Sequence, residues 1–255
     1  MLMRSVLGIA VIVPLVGCAV GNTDAPDAEA QSSTTAAAVV VVERTGGGDA
    51  VVARFVRARQ GVLDDVSLRA AGVQDLPAAG SCVTTFDPPA AARSVDLLDV
   101  GAVSLDRTML FPRTMPDPAG MVSGYFYSAR STDVYAPAQR LSVRASGGQD
   151  LPDGFAVNVA TPRDLSELRV TTTATGLDVG WDESDARDLV YVDVVADGNI
   201  VTRCATVDIG HATIPTNVDE GTLSVHRIHR EAFKTRGIDP GEVRFDFSRI
   251  VAFRR

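Results

Sequence analysis

Two histidines three residues apart form the most metal-like feature of this sequence. They are His226 and His229, followed closely by Glu231. Imidazole and carboxylate side chains are common zinc ligands, but residues three apart on a β-strand point to opposite faces of the sheet. The pair would share a metal only in a helical or bulged segment. We therefore expect two partly exposed surface histidines, and the sequence predicts no metal site and no cofactor.

A cluster of carboxylates lies between residues 182 and 188, where Asp182, Glu183, Asp185 and Asp188 follow one another closely. Oxygen ligands of this kind suit Ca²⁺. The spacing does not match a calcium-binding loop, and the segment lacks the glycine that lets such a loop turn sharply around an ion. A solvated loop between two strands is the expected structure.

The sequence lacks the common short motifs that mark a catalytic site. It contains no Gly-x-Ser-x-Gly, no Ser-x-x-Lys, no His-Glu-x-x-His, no glycine-rich phosphate loop and no Cys-x-x-Cys. This absence favours a binding or structural protein over an enzyme, and no catalytic residue is predicted.

An apolar, proline-rich segment at residues 108–118 contains Phe111 and precedes a group of three tyrosines at 125, 127 and 135. It is longer than a sandwich turn requires, and loops that keep such side chains often hold a partner or cover a sheet edge. Tyr125 and Tyr127 share one face of a predicted strand, where they could stack against a sugar or a peptide. Phe111, Tyr125 and Tyr127 are the candidate binding residues. Packing of the same rings in the core is the alternative.

The first 18 residues have the pattern of a cleaved targeting segment. Arg4 precedes an apolar run of eleven residues at 6–16, which is shorter than the about 20 residues needed to cross a bilayer. The run ends in Leu15-Val16-Gly17-Cys18, which resembles the lipobox of bacterial lipoproteins. The resemblance implies cleavage before Cys18, a diacylglycerol on its sulfur and an acyl chain such as palmitate on its new amine. A secretory signal peptide with a chance cysteine is the alternative.

Removal of residues 1–17, the predicted lipoprotein signal peptide, leaves 238 of the 255 residues. With Arg4 gone the mature chain has 23 basic against 32 acidic residues, a net charge of −9. Such a charge repels nucleic acid and anionic headgroups. Residues 18–38 are small and polar, which predicts a lipidated, flexible tether that spans about 25 Å.

The expected partners are the membrane, through the acyl chains on Cys18, and an envelope protein or polysaccharide; no nucleic acid is expected. Ala19 stands where an Asp retains enterobacterial lipoproteins in the inner membrane. The resemblance therefore implies a cell-envelope location with the anchor in the outer membrane, facing either the periplasm or the cell surface.

The remaining cysteines, Cys82 and Cys204, are an even pair in a chain expected to leave the cytoplasm. Oxidising compartments favour disulfides. A bond between the two would close a loop of 122 residues. The sequence predicts this disulfide, with two buried free thiols as the alternative.

Short runs of β-branched residues, separated by Gly, Pro, Asp or Asn, dominate the chain after the tether and predict an all-β fold. One or two antiparallel β-sandwich domains are expected, at residues 39–160 and 161–255. Asp197-Gly198 predicts a two-residue hairpin turn, and helical character is confined to residues 231–236. The predicted strands are 39–44, 50–57, 66–70, 82–86, 102–105, 123–129, 139–145, 155–159, 168–173, 177–181, 189–195, 200–207, 222–228 and 243–247.

The segment Gly176-Leu177-Asp178-Val179-Gly180-Trp181, with the following run at 190–194, resembles the B and C strands of fibronectin type III and immunoglobulin-like domains. In those domains an alternating strand ends at a buried Trp, and the next strand carries alternating core residues. The resemblance covers about residues 160–255 and implies a sandwich there. The family's tyrosine corner is missing from residues 222–228, and the resemblance implies no function.

Together these features predict a lipid-anchored cell-envelope protein that acts as a structural or binding module. The alternative is a hydrolase of envelope polymers whose site is assembled from residues far apart in the sequence. A conserved cleft that brings His226 or His229 together with two carboxylates would favour the hydrolase.

Overall fold

All the regular secondary structure in the described part of the chain is β-strand, which confirms the predicted all-β class. The structure is a computed structural model, and it describes residues 36–45, 48–58, 76–84, 95–114, 122–131, 134–185 and 187–254. Residues 1–35, including Cys18, and the predicted strand at 66–70 lie outside these ranges. Within them, no helix has the length and apolar character needed to cross a membrane.

Sixteen strands follow one another along the described chain. Their bounds are β1 Ala36–Arg44, β2 Asp49–Ala58, β3 Ser81–Val83, β4 Val95–Leu97, β5 Val103–Leu105, β6 Thr108–Thr114, β7 Val122–Ser131, β8 Arg140–Ala145, β9 Phe155–Ala160, β10 Arg169–Thr172, β11 Gly176–Gly180, β12 Leu189–Ala196, β13 Asn199–Val207, β14 His211–Pro215, β15 Glu220–Thr235 and β16 Ile238–Arg254.

Thirteen strands form one continuous sheet, and the other three form a small second sheet. The order in the large sheet is β3-β13-β12-β15-β16-β1-β2-β4-β7-β6-β5-β8-β9, and in the small sheet it is β10-β11-β14. Most neighbours are antiparallel, but β1 runs parallel to β16 and β4 runs parallel to β7. The two sheets together give a sandwich-like architecture.

The first core forms where one end of the large sheet, made of β5, β8 and β9, packs against the middle of the same sheet. One cluster contains Val40 of β1, Phe55 of β2, Val143 of β8 and Phe245 of β16. All four side chains are completely buried. Since burying one such side chain contributes about 1.5–3 kcal/mol, this cluster is a major source of stability.

The second core lies between the small sheet and the part of the large sheet formed by β12, β13, β15 and β16. Leu177 and Val179 of β11 point into it, as do Val190 and Val192 of β12. Trp181, directly after β11, is buried in the same cluster. The two segments that carry the fibronectin-like pattern therefore lie in facing sheets.

The long hairpin of β15 and β16 is shared by both cores. Leu223 and Phe253 at its open end belong to the second core, whereas Phe245 and Phe247 belong to the first. β1 pairs in parallel with β16. Strands on both sides of the predicted domain boundary at residue 160 are thus hydrogen-bonded within one sheet, and the described residues belong to one compact unit.

Three local predictions differ from the structure. Residues 36–38, predicted as the end of the tether, are buried and begin β1. Residues 231–236, predicted to have helical character, extend β15 as far as Thr235 because pairing with β16 outweighs local propensity. Residues 108–114, predicted as a loop, form β6 between β5 and β7.

Two other predictions are confirmed. Asp197 and Gly198 have φ angles of 51° and 78° and join β12 to β13 in a hairpin. Cys82 of β3 lies opposite Cys204 of β13, and their sulfurs are bonded at 2.03 Å. The disulfide holds β3, which has only three residues, at the edge of the large sheet.

Candidate functional site

An aromatic cavity with a volume of about 450 Å³ opens beside β6 and β7. Its lining residues are Asp99, Gly101, Ala102, Met109, Leu110, Phe111, Pro112, Tyr125 and Tyr127. The three candidate binding residues from the sequence, Phe111, Tyr125 and Tyr127, therefore line one cavity. Its volume falls within the range of small-molecule sites, about 300–1,000 Å³.

The rim of the aromatic cavity carries three large apolar side chains that are open to solvent. Phe111 is 61% exposed, Met109 is 50% exposed and Tyr125 is 43% exposed. Exposed apolar side chains gathered around a concave surface are typical of sites that bind a ligand or a partner. The rim thus has the character of a binding surface.

Tyr127 forms the floor of the aromatic cavity and belongs to the first core. It is buried, and its ring packs edge-on against Phe55 with the centroids 5.9 Å apart. The phenol oxygen accepts a hydrogen bond from the Val100 amide at 3.0 Å and donates one to Asp99 Oδ1 at 3.4 Å. Burial, reinforced by the Asp99 charge, raises the pKa of Tyr127, so the phenol stays neutral at physiological pH.

Gly124 determines how close β7 lies to β4, and therefore where Tyr125 emerges. It pairs with Leu97 and has a φ of 117°. A Cβ at this position would lie 1.9 Å from the Leu97 carbonyl oxygen, so only glycine permits the approach. Tyr125 follows directly and faces Thr114 across the β6–β7 ladder.

Asp99 carries the only charge among the described lining residues of the aromatic cavity. Its Oδ1 accepts a hydrogen bond from the Gly101 amide at 2.9 Å, and its own amide donates to Asp150 Oδ2 at 2.8 Å. These bonds hold the carboxylate in place as an acceptor for a ligand hydroxyl or amine. Sequence reasoning missed Asp99 because no motif surrounds it.

A second arrangement, the Ser–His–Asp array, consists of Ser224, His226 and Asp246. Ser224 Oγ lies 2.8 Å from His226 Nε2, and His226 Nδ1 lies 2.8 Å from Asp246 Oδ1. The Tyr191 ring stacks on the imidazole, with the centroids 4.2 Å apart and the planes 13° apart. No sequence motif marks this array, since Asp246 comes from the neighbouring strand.

His229 lies on the opposite face of β15 from His226, as strand periodicity predicts, and has different partners. Its Nδ1 lies 2.6 Å from Asp188 Oδ1, and its Nε2 lies 3.2 Å from Glu231 Oε1. The hydrogen bond to Asp188 raises the pKa of His229 against the opposing effect of burial. The three side chains border a cavity of about 290 Å³, so His229 and two carboxylates lie together in one cleft, which is the spatial arrangement expected for the hydrolase alternative.

The predicted solvated loop at residues 182–188 is wrong at Asp188, which is only 2% exposed. Its Oδ2 is buried and has no hydrogen-bond partner among the described residues. Asp185, by contrast, pairs with the exposed Arg187 at 2.6 Å, which lowers the pKa of Asp185. Within the described ranges, no group of three or more His, Cys, Asp or Glu side chains is arranged to hold a metal ion.

No protein-family model and no curated protein matches this chain. Its function must therefore be inferred from the geometry of its own sites.

Proposed function

We propose that this protein is a lipid-anchored cell-envelope binding protein that holds a sugar ring of an envelope polysaccharide in the aromatic cavity. The observation that carries the proposal is the exposure of Phe111, Tyr125 and Met109 around a cavity with one fixed carboxylate, Asp99.

A sugar ring matches both parts of this lining. Its apolar C–H face packs on aromatic rings such as Phe111 and Tyr125, which are large, stiff contact surfaces. Its hydroxyl groups donate hydrogen bonds to a carboxylate, and Asp99 supplies one at the cavity wall. A purely apolar ligand would remove water from this carboxylate without adding a hydrogen bond to it, which is unfavourable.

Charge narrows the class of polysaccharide to neutral or amino-substituted polymers. Asp99 is the one charged residue in the part of the lining that the structure describes, and the mature chain has 23 basic against 32 acidic residues. A phosphate-rich or uronic-acid polymer would be repelled both by the cavity and by the whole protein.

The anchor rests on the pattern Leu15-Val16-Gly17-Cys18, in which Cys18 carries the lipid. The outer membrane is its proposed location. The small, polar residues between Cys18 and the start of β1 at Ala36 allow the domain to reach polymer close to the membrane.

The test is calorimetric titration of the mature protein with fragments of neutral, amino-substituted and acidic envelope polysaccharides. We expect binding of neutral or amino-substituted fragments, weakened about tenfold by Phe111→Ala or Tyr125→Ala. Asp99→Asn should also weaken binding. Ile209→Ala is the matched control, because Ile209 is 47% exposed and does not line the aromatic cavity.

Equal affinity of wild type, Phe111→Ala and Tyr125→Ala for these fragments would refute the site. Tight binding of a peptide in place of a glycan, lost in the same two variants, would keep the cavity as the site and refute the sugar as its ligand.

A further inference from the structure

The Ser–His–Asp array is built on the face of the large sheet opposite to the second core. Ser224 and His226 are two residues apart on β15 and so share that face, while Asp246 reaches it from β16. Leu223 and Val225, on either side of Ser224, point into the second core. The two distances of 2.8 Å place Ser224, His226 and Asp246 in one continuous hydrogen-bonded chain.

The order of atoms in this chain is the one that activates a serine. Nδ1 of His226 donates to the Asp246 carboxylate, which leaves the Nε2 lone pair to accept the proton of Ser224 Oγ. Tyr191 fixes both partners: its ring stacks on the imidazole, and its hydroxyl donates to Asp246 Oδ2 at 3.3 Å. A loosely held surface histidine would have neither restraint.

Ser224 and His226 are half-buried, whereas Asp246 at the other end of the array is buried. The Asp246 side chain is 7% exposed and the His226 side chain is 18% exposed. Ser224 is half-buried, and its cross-strand neighbour on β16, Ile250, is 64% exposed. The carboxylate is therefore shielded, while the serine residue is partly open to solvent.

We propose that Ser224 is the nucleophile of an acyl-transfer site for carboxylic esters, independent of the aromatic cavity. His226 acts as general base and then as general acid, and Asp246 is a positioning residue. Ser224 Oγ bonds to the ester carbonyl carbon as its proton moves to His226 Nε2. The bond to the alcohol oxygen then breaks, and that oxygen takes the proton from Nε2. In the second half of the reaction, a water oxygen bonds to the acyl carbon as its proton moves to His226 Nε2. The bond between that carbon and Ser224 Oγ then breaks, and Oγ takes the proton from Nε2, which releases the acid and restores the Ser224 hydroxyl.

The position of Ser224 within the sheet limits the class of substrate. β15 is paired on one side with β12 and on the other with β16, so the backbone amides around Ser224 belong to the sheet ladders. Amides committed in this way do not form a preorganised pair of donors for the developing oxyanion. Esters with a good leaving group, which need less stabilisation of that charge, are the expected substrates.

The experiment uses the full mature protein, purified identically for each variant, with a fluorophosphonate probe that forms a covalent bond to activated serines. We expect mass spectrometry to locate the adduct on Ser224. Ser224→Ala should abolish labelling, and His226→Gln should slow it by at least about 100-fold. Ser104→Ala, a half-buried strand serine outside the array, is the matched control and should label like wild type.

Asp246→Asn tests the positioning role. It should lower the limiting rate of labelling at saturating probe and leave the half-saturating probe concentration unchanged. A change in the half-saturating concentration alone would overturn this role.

Ser224→Cys provides a second test of the same array, which is informative if the other variants fold poorly. The introduced thiol should react with iodoacetamide at least about tenfold faster than in the Ser224→Cys, His226→Gln double variant. Equal rates in these two variants, or an adduct of the fluorophosphonate on a residue other than Ser224, would overturn the proposal.

Discussion

Arg227 and Asp208 form an ion pair from which solvent is fully excluded: Arg227 Nε donates to Asp208 Oδ2 at 2.8 Å, and both side chains are 0% exposed. Arg227 also donates to the carbonyl oxygens of Asp164 and Asp182. Asp208 Oδ1 accepts the indole N–H of Trp181 at 2.6 Å. One residue of β15 thus ties three connecting segments to the second core.

We predict that Arg227→Met destabilises the protein by about 3–5 kcal/mol, because it leaves the Asp208 carboxylate buried without its cation. Urea unfolding followed by Trp181 fluorescence measures this directly, as Trp181 is the single tryptophan of the chain. Arg254→Met is the control, since its ion pair with Glu220 is exposed at 81% and 68% and should contribute less than about 1 kcal/mol. Equal effects of the two substitutions would contradict the prediction.

We also predict that removing the disulfide lowers the free energy of unfolding. Cys82 and Cys204 close a loop of 122 residues, and the chain-entropy model gives about 4 to 5 kcal/mol for such a loop before strain is counted. The Cys82→Ser, Cys204→Ser double variant should lose stability of this order in urea. In the wild type, neither thiol should react with an alkylating agent under denaturing conditions until a reductant is added. Alkylation without a reductant would show that the bond does not form.

The raised pKa of His229 predicts a dependence of stability on pH. The cause is its hydrogen bond to Asp188, so the folded state binds the proton more tightly than the unfolded state does. This contribution is fully present below the unfolded value of 6.5. It is lost as the pH rises through the higher folded pKa, where a neutral imidazole leaves the buried Asp188 charge uncompensated.

Urea unfolding between about pH 5 and pH 9 measures the effect. His229→Gln should remove this fall in stability with rising pH, and His211→Gln, at an exposed position, should not. The prediction fails if wild type and His229→Gln show the same pH profile.

Local sequence patterns predicted much of the fold. The alternation in β11 and β12 and the Asp197-Gly198 turn are short-range features, and the structure has them where they were expected. β6 was missed because its proline and its Met-Leu-Phe run resemble a loop, whereas pairing with β5 and β7 makes it a strand. The parallel pairing of β1 with β16 joins the two ends of the described chain, and no local pattern encodes it.

The candidate sites were predictable only where local sequence marks them. Phe111 and Tyr125 are predicted from their own segment, and they line one cavity. The hydrogen-bonded groups around the histidines are not, because their members come from distant parts of the chain. His226 was identified, but its partner Asp246 lies 20 residues away in sequence, and the partner Asp188 of His229 lies 41 residues away. Such contacts depend on strand register, which is set by the whole sheet.

The predicted lipid anchor has a direct test that does not depend on the folded domain. Because Cys18 ends the lipobox-like segment, Cys18→Ser should abolish incorporation of a clickable fatty acid and release the protein from the membrane fraction. Gly17→Ala, which retains a small residue before the cysteine, is the control and should still be labelled. Unchanged labelling of Cys18→Ser would refute the anchor.

We predict that truncating side chains at the rim and at the floor of the aromatic cavity has different effects on stability. Tyr127 is 1% exposed and packs on Phe55, so Tyr127→Ala should cost about 3–5 kcal/mol of stability. Phe111 and Tyr125 are largely exposed, so truncating them should change stability by no more than about 0.5 kcal/mol. Thermal and urea unfolding of the three variants provide the comparison. A large loss of stability in Phe111→Ala or Tyr125→Ala would identify that ring as core and remove it from the proposed binding surface. Unchanged stability together with weakened glycan binding is the result expected of a binding site.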